Sequence, residues 1–181
     1  MQGIPLNERK RLGALLDDRP QTEVMAMIPQ FSQAETDNFV APPAQIPEAL
    51  GVLMFNMERG VNLPEIQEFL RDCPDIQPFD VILANELDDG CARSGNKNTA
   101  RELAQAFGLN YAWGLEFIEL VNDENAKGFH GNAVFSRWPI RRAGVIRLPE
   151  QYNWYFDRQK RIGGRLAVFA ELDVGGQPVG A

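Results

Sequence analysis

The sequence predicts an α/β (α+β) layered sandwich. Two short apolar runs, residues 50–55 (LGVLMF) and 80–84 (DVILA), read as buried strands. Each is followed by a segment with apolar residues at helical spacing. After residue 110 the chain turns into a succession of strand-like stretches separated by turn residues. Strand, helix, strand, helix and then several strands is the order of a layered α/β domain whose later part is antiparallel.

Taken in order, residues 7–16 (NERKRLGALL) predict a short helix with Leu12, Leu15 and Leu16 on one side. Residues 17–49 are turn-rich and end in Pro42, Pro43 and Pro47, so residues 1–49 are expected to form a leader and Pro-rich linker, packed on the domain or mobile. The domain proper is expected over residues 50–181. The first strand, 50–55, is fully apolar and should be buried on both faces, with Asn56 at its end. Leu63, Ile66, Phe69 and Leu70 predict a helix, with Pro64 in its first turn and Pro74 beyond its end. The second strand, 80–84, should end at Asn85-Glu86. Thr99 and Glu102 have the spacing of a capping box, opening a helix that Gly108 closes. Further strands are expected over 111–120, 132–137, 144–148 and 165–173. A hairpin turn is expected at 174–177, with a return strand starting at Pro178-Val179. The chain stops there, and a truncation is the expectation.

The 181 residues are 44% apolar and 24% charged, ordinary for a globular protein. No apolar run approaches the roughly 20 residues that span a bilayer. Residues 1–16 are basic and amphipathic without the features of a signal peptide, so a cytoplasmic location is expected. Cys73 and Cys91 are too few for a disulfide framework and read as free thiols. Net charge is −7, unevenly spread. Residues 137–165 hold eight Lys/Arg against two acids, a segment of +6 that leaves −13 on the remainder. An acidic chain is a poor sequence-independent nucleic-acid clamp. The basic segment reads either as a solvated hairpin or as a place to meet a phosphate.

Two polar groups sit where buried strands end: Asn56 in FNMERG and Glu86 in LANELD. Ligands of open α/β sheets bind at the carboxyl ends of strands. A carboxylate there could hold Mg²⁺, a hard cation that takes oxygen ligands and keeps several waters. The structural alternative is a surface acid and a turn former. His130, in GFHGN, reads as a solvated turn residue or as an acid/base group. The aromatic run 152–156 beside Lys160 and Arg161 could stack a base or cover the core. Gly163-Gly164 permits a bend before a strand.

The ordered set FNMERG, DVILANELDDG, NTARELAQAFGLNYAWGLEFIEL, GNAVFSRWPI and Gly163-Gly164-Arg165, over about residues 50–179, resembles the endonuclease/exonuclease/phosphatase family. The resemblance implies the N-terminal half of a four-layer α/β/β/α fold, deoxyribonuclease I-like. The implied activity is hydrolysis of a phosphodiester or phosphomonoester by metal-assisted attack of water, with Mg²⁺ or Mn²⁺ as cofactor. It implies a phosphate-ester substrate, be it nucleic acid, phospholipid or inositol phosphate. By position, Glu86 becomes the metal-binding glutamate and Asn56 the asparagine that shapes the phosphate site. Glu58 falls where some members place an aspartate near the metal. Asn132 matches a motif beside the cleft, in a loop-supporting role, and His130 lies close to it in sequence. The family's later Thr-His-Leu strand, Asp-x-Asn pair and terminal Asp-His pair have no match in these residues. The reaction needs an activated nucleophile and compensation of developing charge. The second expectation, from a different class, is therefore a non-catalytic half-domain or interaction module completed by another chain.

Overall fold

The computed structural model describes residues 1–149, 155 and 160–181. Of the aromatic run, only Tyr155 falls among them, and it is buried; the stacking expectation lies otherwise outside the described residues.

The chain opens with helices α1 (Leu6–Ala14) and α2 (Gln21–Ala26) and strand β1 (Ala34–Asp37). Strand β2 (Val52–Arg59), helix α3 (Leu63–Asp72), strand β3 (Val81–Asp89) and helix α4 (Thr99–Phe107) follow. Strands β4 (Asn110–Glu119), β5 (Phe129–Ser136), β6 (Ile140–Arg147), β7 (Arg161–Gly163), β8 (Leu166–Val174) and β9 (Gln177–Gly180) complete it. The first sheet runs β1-β4-β5-β3-β2, with β7 also paired to β4; the second runs β6-β8-β9. β2 and β3 are parallel and the other pairings antiparallel, which bears out the layered α/β expectation.

Two cores explain the layers. On one face of the first sheet, Met57, Ile82, Leu87, Tyr111, Trp113 and Phe135 pack against apolar residues of all four helices. Between the sheets, Val81, Ala112 and Val134 meet Ile140, Ala170, Leu172 and Val174. The described residues thus form three layers of the four that the resemblance implies. The two sheets approach closely over Gly114, where an added Cβ would lie 2.9 Å from Val145 Cγ2 and 3.0 Å from Val168 Cγ2.

Several expectations change at the level of the element. The leader packs on the domain: Ile4, Leu12, Leu16, Val24, Ile28 and Phe31 belong to the helical-side core, and β1 pairs with β4. Arg9 ties it down from a buried position by donating to Asn125 O (2.7 Å) and Lys127 O (2.9 Å). β2 is not buried on both faces. It is an edge strand, and Val52 and Met54 are 59% and 73% exposed. An apolar run cannot reveal this, because hydrophobicity alone does not say whether a second layer reaches that strand. β3 does not end at Glu86 but bulges and continues to Asp89. The cap of α4 is Asn98, one residue earlier than expected, whose Oδ1 accepts from Arg101 N–H at 2.8 Å. The Thr99 hydroxyl instead donates to Asp88 O at 2.8 Å.

Candidate functional site

Asn56, Glu86 and Asn132 come together across three neighbouring strands, β2, β3 and β5, at the carboxyl ends of the parallel pair. Both parallel strands leave regular pairing at this level. β2 shifts register between Asn56 and Arg59, and β3 between Ala84 and Leu87. Glu58 (φ 46°), Arg59 (φ 66°) and Glu86 (φ 60°) occupy the left-handed region that favours glycine. Three such residues at adjacent sheet positions mark stored backbone strain, which concentrates where a side chain must be aimed.

Each bulge is held by an asparagine. Asn56 Oδ1 accepts from Glu58 N–H at 2.8 Å, closing a local turn. Asn132 Oδ1 accepts from Glu86 N–H at 3.1 Å, and its Nδ2 reaches Leu166 O of β8 at 3.5 Å. Asn132 therefore fastens the Glu86 bulge to the second sheet. Glu86 itself is partly buried, and its carboxylate makes no hydrogen bond or ion pair among the described residues. Asn56 and Glu58 are exposed beside it.

His130 is drawn away from solvent. It lies within β5, 3% exposed, so the solvated-turn alternative does not hold. Its Nδ1 is 2.8 Å from Asp88 Oδ1, its Nε2 is 3.9 Å from Glu116 Oε2, and its ring stacks on Phe117. A carboxylate only accepts, so Nδ1 carries the proton donated to Asp88. Around it runs a buried ionic network. Arg93 grips Asp88 through two bonds of 2.7 and 2.8 Å and reaches Glu119 at 3.2 Å. Arg161 pairs with Glu119 at 2.8 Å, and Arg165 with Glu116 at 2.8 Å. Burial by itself raises the Asp88 carboxyl, but the His130 hydrogen bond and the Arg93 guanidinium outweigh it and hold it below the usual carboxylate range. Three carboxylates, Asp88, Glu116 and Glu119, thus face three guanidinium groups.

That network was not legible as a site. Its one sequence signal is the placing of Glu116 and Glu119 inside an otherwise apolar strand, where unpaired charge would be costly. Four cations of the basic segment pair with acids. Besides Arg161 and Arg165, Arg141 pairs with Asp173 at 2.9 Å and Arg142 with Glu171 at 2.7 Å.

Among the described residues no cluster of three His, Cys, Asp or Glu side chains converges. A hard cation such as Mg²⁺ or Mn²⁺ takes oxygen ligands and keeps several waters, so the Glu86 carboxylate and the neighbouring side-chain amides are the groups that would hold one.

No protein-family model and no curated protein matches the sequence. Among solved structures, the chain is similar to the endonuclease/exonuclease/phosphatase from Beutenbergia cavernae DSM 12333. The TM-score is 0.50 at 21% identity, covering 70% of this chain and 35% of that one. The chain thus spans about a third of the length of the structure it matches. Sheet order and this likeness agree: the chain has part of the endonuclease/exonuclease/phosphatase fold.

Proposed function

We propose that this fold carries a Mg²⁺- or Mn²⁺-dependent phosphoesterase site in which Glu86 holds the metal. The observation behind the reading is the Glu86 carboxylate, raised on a left-handed bulge and without a partner among the described residues. A surface acid needs no such backbone, whereas a ligand that must be aimed does. When bound, the ion supplies positive charge to a phosphoryl oxygen. Asn132 keeps the bulge in place. Asn56, with Oδ1 engaged by Glu58 N–H, keeps its Nδ2 to donate to a phosphate oxygen. Glu58 stands at the rim. His130 serves the ionic network beneath the site rather than touching substrate. The substrate is a phosphate ester. The two unpaired thiols, Cys73 and Cys91, are consistent with a reducing, cytoplasmic setting, and no helix among the described residues is long and apolar enough to cross a membrane.

Mn²⁺ binding by this chain, read by electron paramagnetic resonance, tests the assignment beside hydrolysis of bis(p-nitrophenyl) phosphate. Glu86→Gln should lose both, with the fold intact by circular dichroism. Unchanged Mn²⁺ affinity in the variant would remove Glu86 from the metal site.

A second reading, an interaction module completed by another chain, is favoured by the uncovered apolar face of Val52 and Met54 beside the groove of Leu50, Leu83 and Val179. A strand of a second copy added beside β9 would cover it. Sedimentation velocity decides: a concentration-dependent dimer that Met54→Lys dissociates supports this reading, and a monomer at all concentrations rejects it.

A further inference from the structure

A cleft between the N-terminal segment and the second sheet lies apart from Glu86. It has a volume of about 590 Å³, within the roughly 300–1,000 Å³ typical of small-molecule sites. One wall is built by the N-terminal segment, from α2 through Phe31. The other is the end of β6 and the approach to β8. Met25, Ile28, Phe31 and Leu148 make its lining largely apolar, while Arg147 and Arg165 place two guanidinium groups in it.

The two arginines differ in charge balance. Arg165 is neutralised by Glu116 at 2.8 Å. Arg147 makes no ion pair among the described residues, and its bonds run to backbone carbonyls. Nε donates to Phe31 O at 2.9 Å, Nη1 to Gly164 O at 3.1 Å, and Nη2 to the carbonyls of Phe31 and Leu115. The guanidinium stacks on the Phe31 ring, 4.8 Å from its centroid. Carbonyl dipoles hold such a group in place but do not cancel its net charge. Burial brings it down to about 10, against only partial support from Glu116. A partly buried cation with no counter-ion among the described residues, at the edge of an apolar cleft, is complementary to one kind of ligand: an anionic head on an apolar body.

We propose that this cleft binds a small anionic amphiphile, its apolar chain or ring against Met25, Ile28, Phe31 and Leu148 and its carboxylate or phosphate at Arg147. The leader then has a binding role, since it supplies most of the apolar wall. This inference does not depend on the phosphoesterase reading. Its site excludes Glu86, Asn56, Asn132 and His130, and its test uses no metal.

Isothermal titration calorimetry of the full chain with decyl phosphate and decanoate, below their micelle-forming concentrations, is the test. Saturable binding at one site per chain is expected, with decyltrimethylammonium at least about tenfold weaker. Inorganic phosphate alone should bind far more weakly than decyl phosphate. Arg147→Lys keeps the charge and should retain most affinity, whereas Arg147→Met should lose about tenfold or more. Should Arg147→Met unfold, Ala26→Trp serves instead. Ala26 is an exposed residue of the cleft lining, and its replacement fills the space without entering the core. Equal affinity for the cationic amphiphile, undiminished binding in Ala26→Trp, or no saturable binding of either anion would each overturn the proposal.

Discussion

Glu86 occupies a backbone conformation that costs a non-glycine residue about 1–2 kcal/mol, and its side chain repays none of this through contacts among the described residues. Glycine at this position would relieve the strain and lose the carboxylate. Glu86→Gly is therefore expected to raise stability by about 0.5–1 kcal/mol while abolishing Mn²⁺ binding. Urea denaturation beside the metal titration checks both, and a clear loss of stability would mean that the bulge is not strained. Cys91 gives a second prediction at this scale. Burial, with Asp88 nearby, pushes its thiol far above the ordinary range. The unfolded chain ionises this thiol near pH 8.5 while the folded chain keeps the proton. Its contribution is thus full below about pH 8.5 and is lost as pH rises beyond it, by about 1.4 kcal/mol per pH unit. Cys91→Ala should flatten the alkaline side of the stability profile relative to the parent chain. In native protein at pH 8, Ellman's reagent should label Cys73 quickly and Cys91 only after denaturant is added.

Among the elements, α4 and β4 show what fixes position. Asn98 supplies the one side-chain cap bond of α4, so Asn98→Ala should cost about 1 kcal/mol in chemical denaturation. Gly114 is needed for space rather than for conformation, because its φ is not in the left-handed region. Two valine methyls from the second sheet stand where its Cβ would point. Gly114→Val should cost about 1–3 kcal/mol, read as a lowered urea midpoint, and an unchanged midpoint would show that the sheets can separate there freely. The bulges of β2 and β3 operate at the same scale. Each adds a residue that the neighbouring strand does not match, next to Asn56 in β2 and at Glu86 in β3.

The whole molecule is organised around charge as much as around its two cores. The acidic majority and the basic segment 137–165 meet through Glu116–Arg165, Glu119–Arg161 and the β6–β8 pairs. Arg161→Met removes one of the two guanidinium partners of buried Glu119 and leaves Arg93 at 3.2 Å, so it should cost about 1.5–3 kcal/mol, more than the exposed Arg142→Met, which should cost below about 1 kcal/mol. Thermal melts of the two variants make the comparison. Similar shifts would show that the Arg161–Glu119 pair is effectively solvated.

Periodicity, punctuation and motif order determine most of the elements. The strand-helix alternation, the 63–72 helix, the Gly108 stop and the hairpin at Gly175-Gly176 all follow from local spacing and backbone preference, which a single segment carries within itself. Asn56 and Glu86 follow closely on the two apolar runs, so their position was legible for the same reason, whereas Asn132 entered only through the order of motifs. Only the tertiary structure decided that residues 1–37 belong to the core, that β2 is an exposed edge, and that His130 is buried between carboxylates. It also decided that four arginines of the basic segment enter ion pairs and that Arg147 has none among the described residues. Burial and charge pairing join residues far apart in the chain, Arg9 to Asn125 and Glu116 to Arg165 among them. No local pattern encodes which distant acid a given arginine will meet, or which apolar face a second layer will cover.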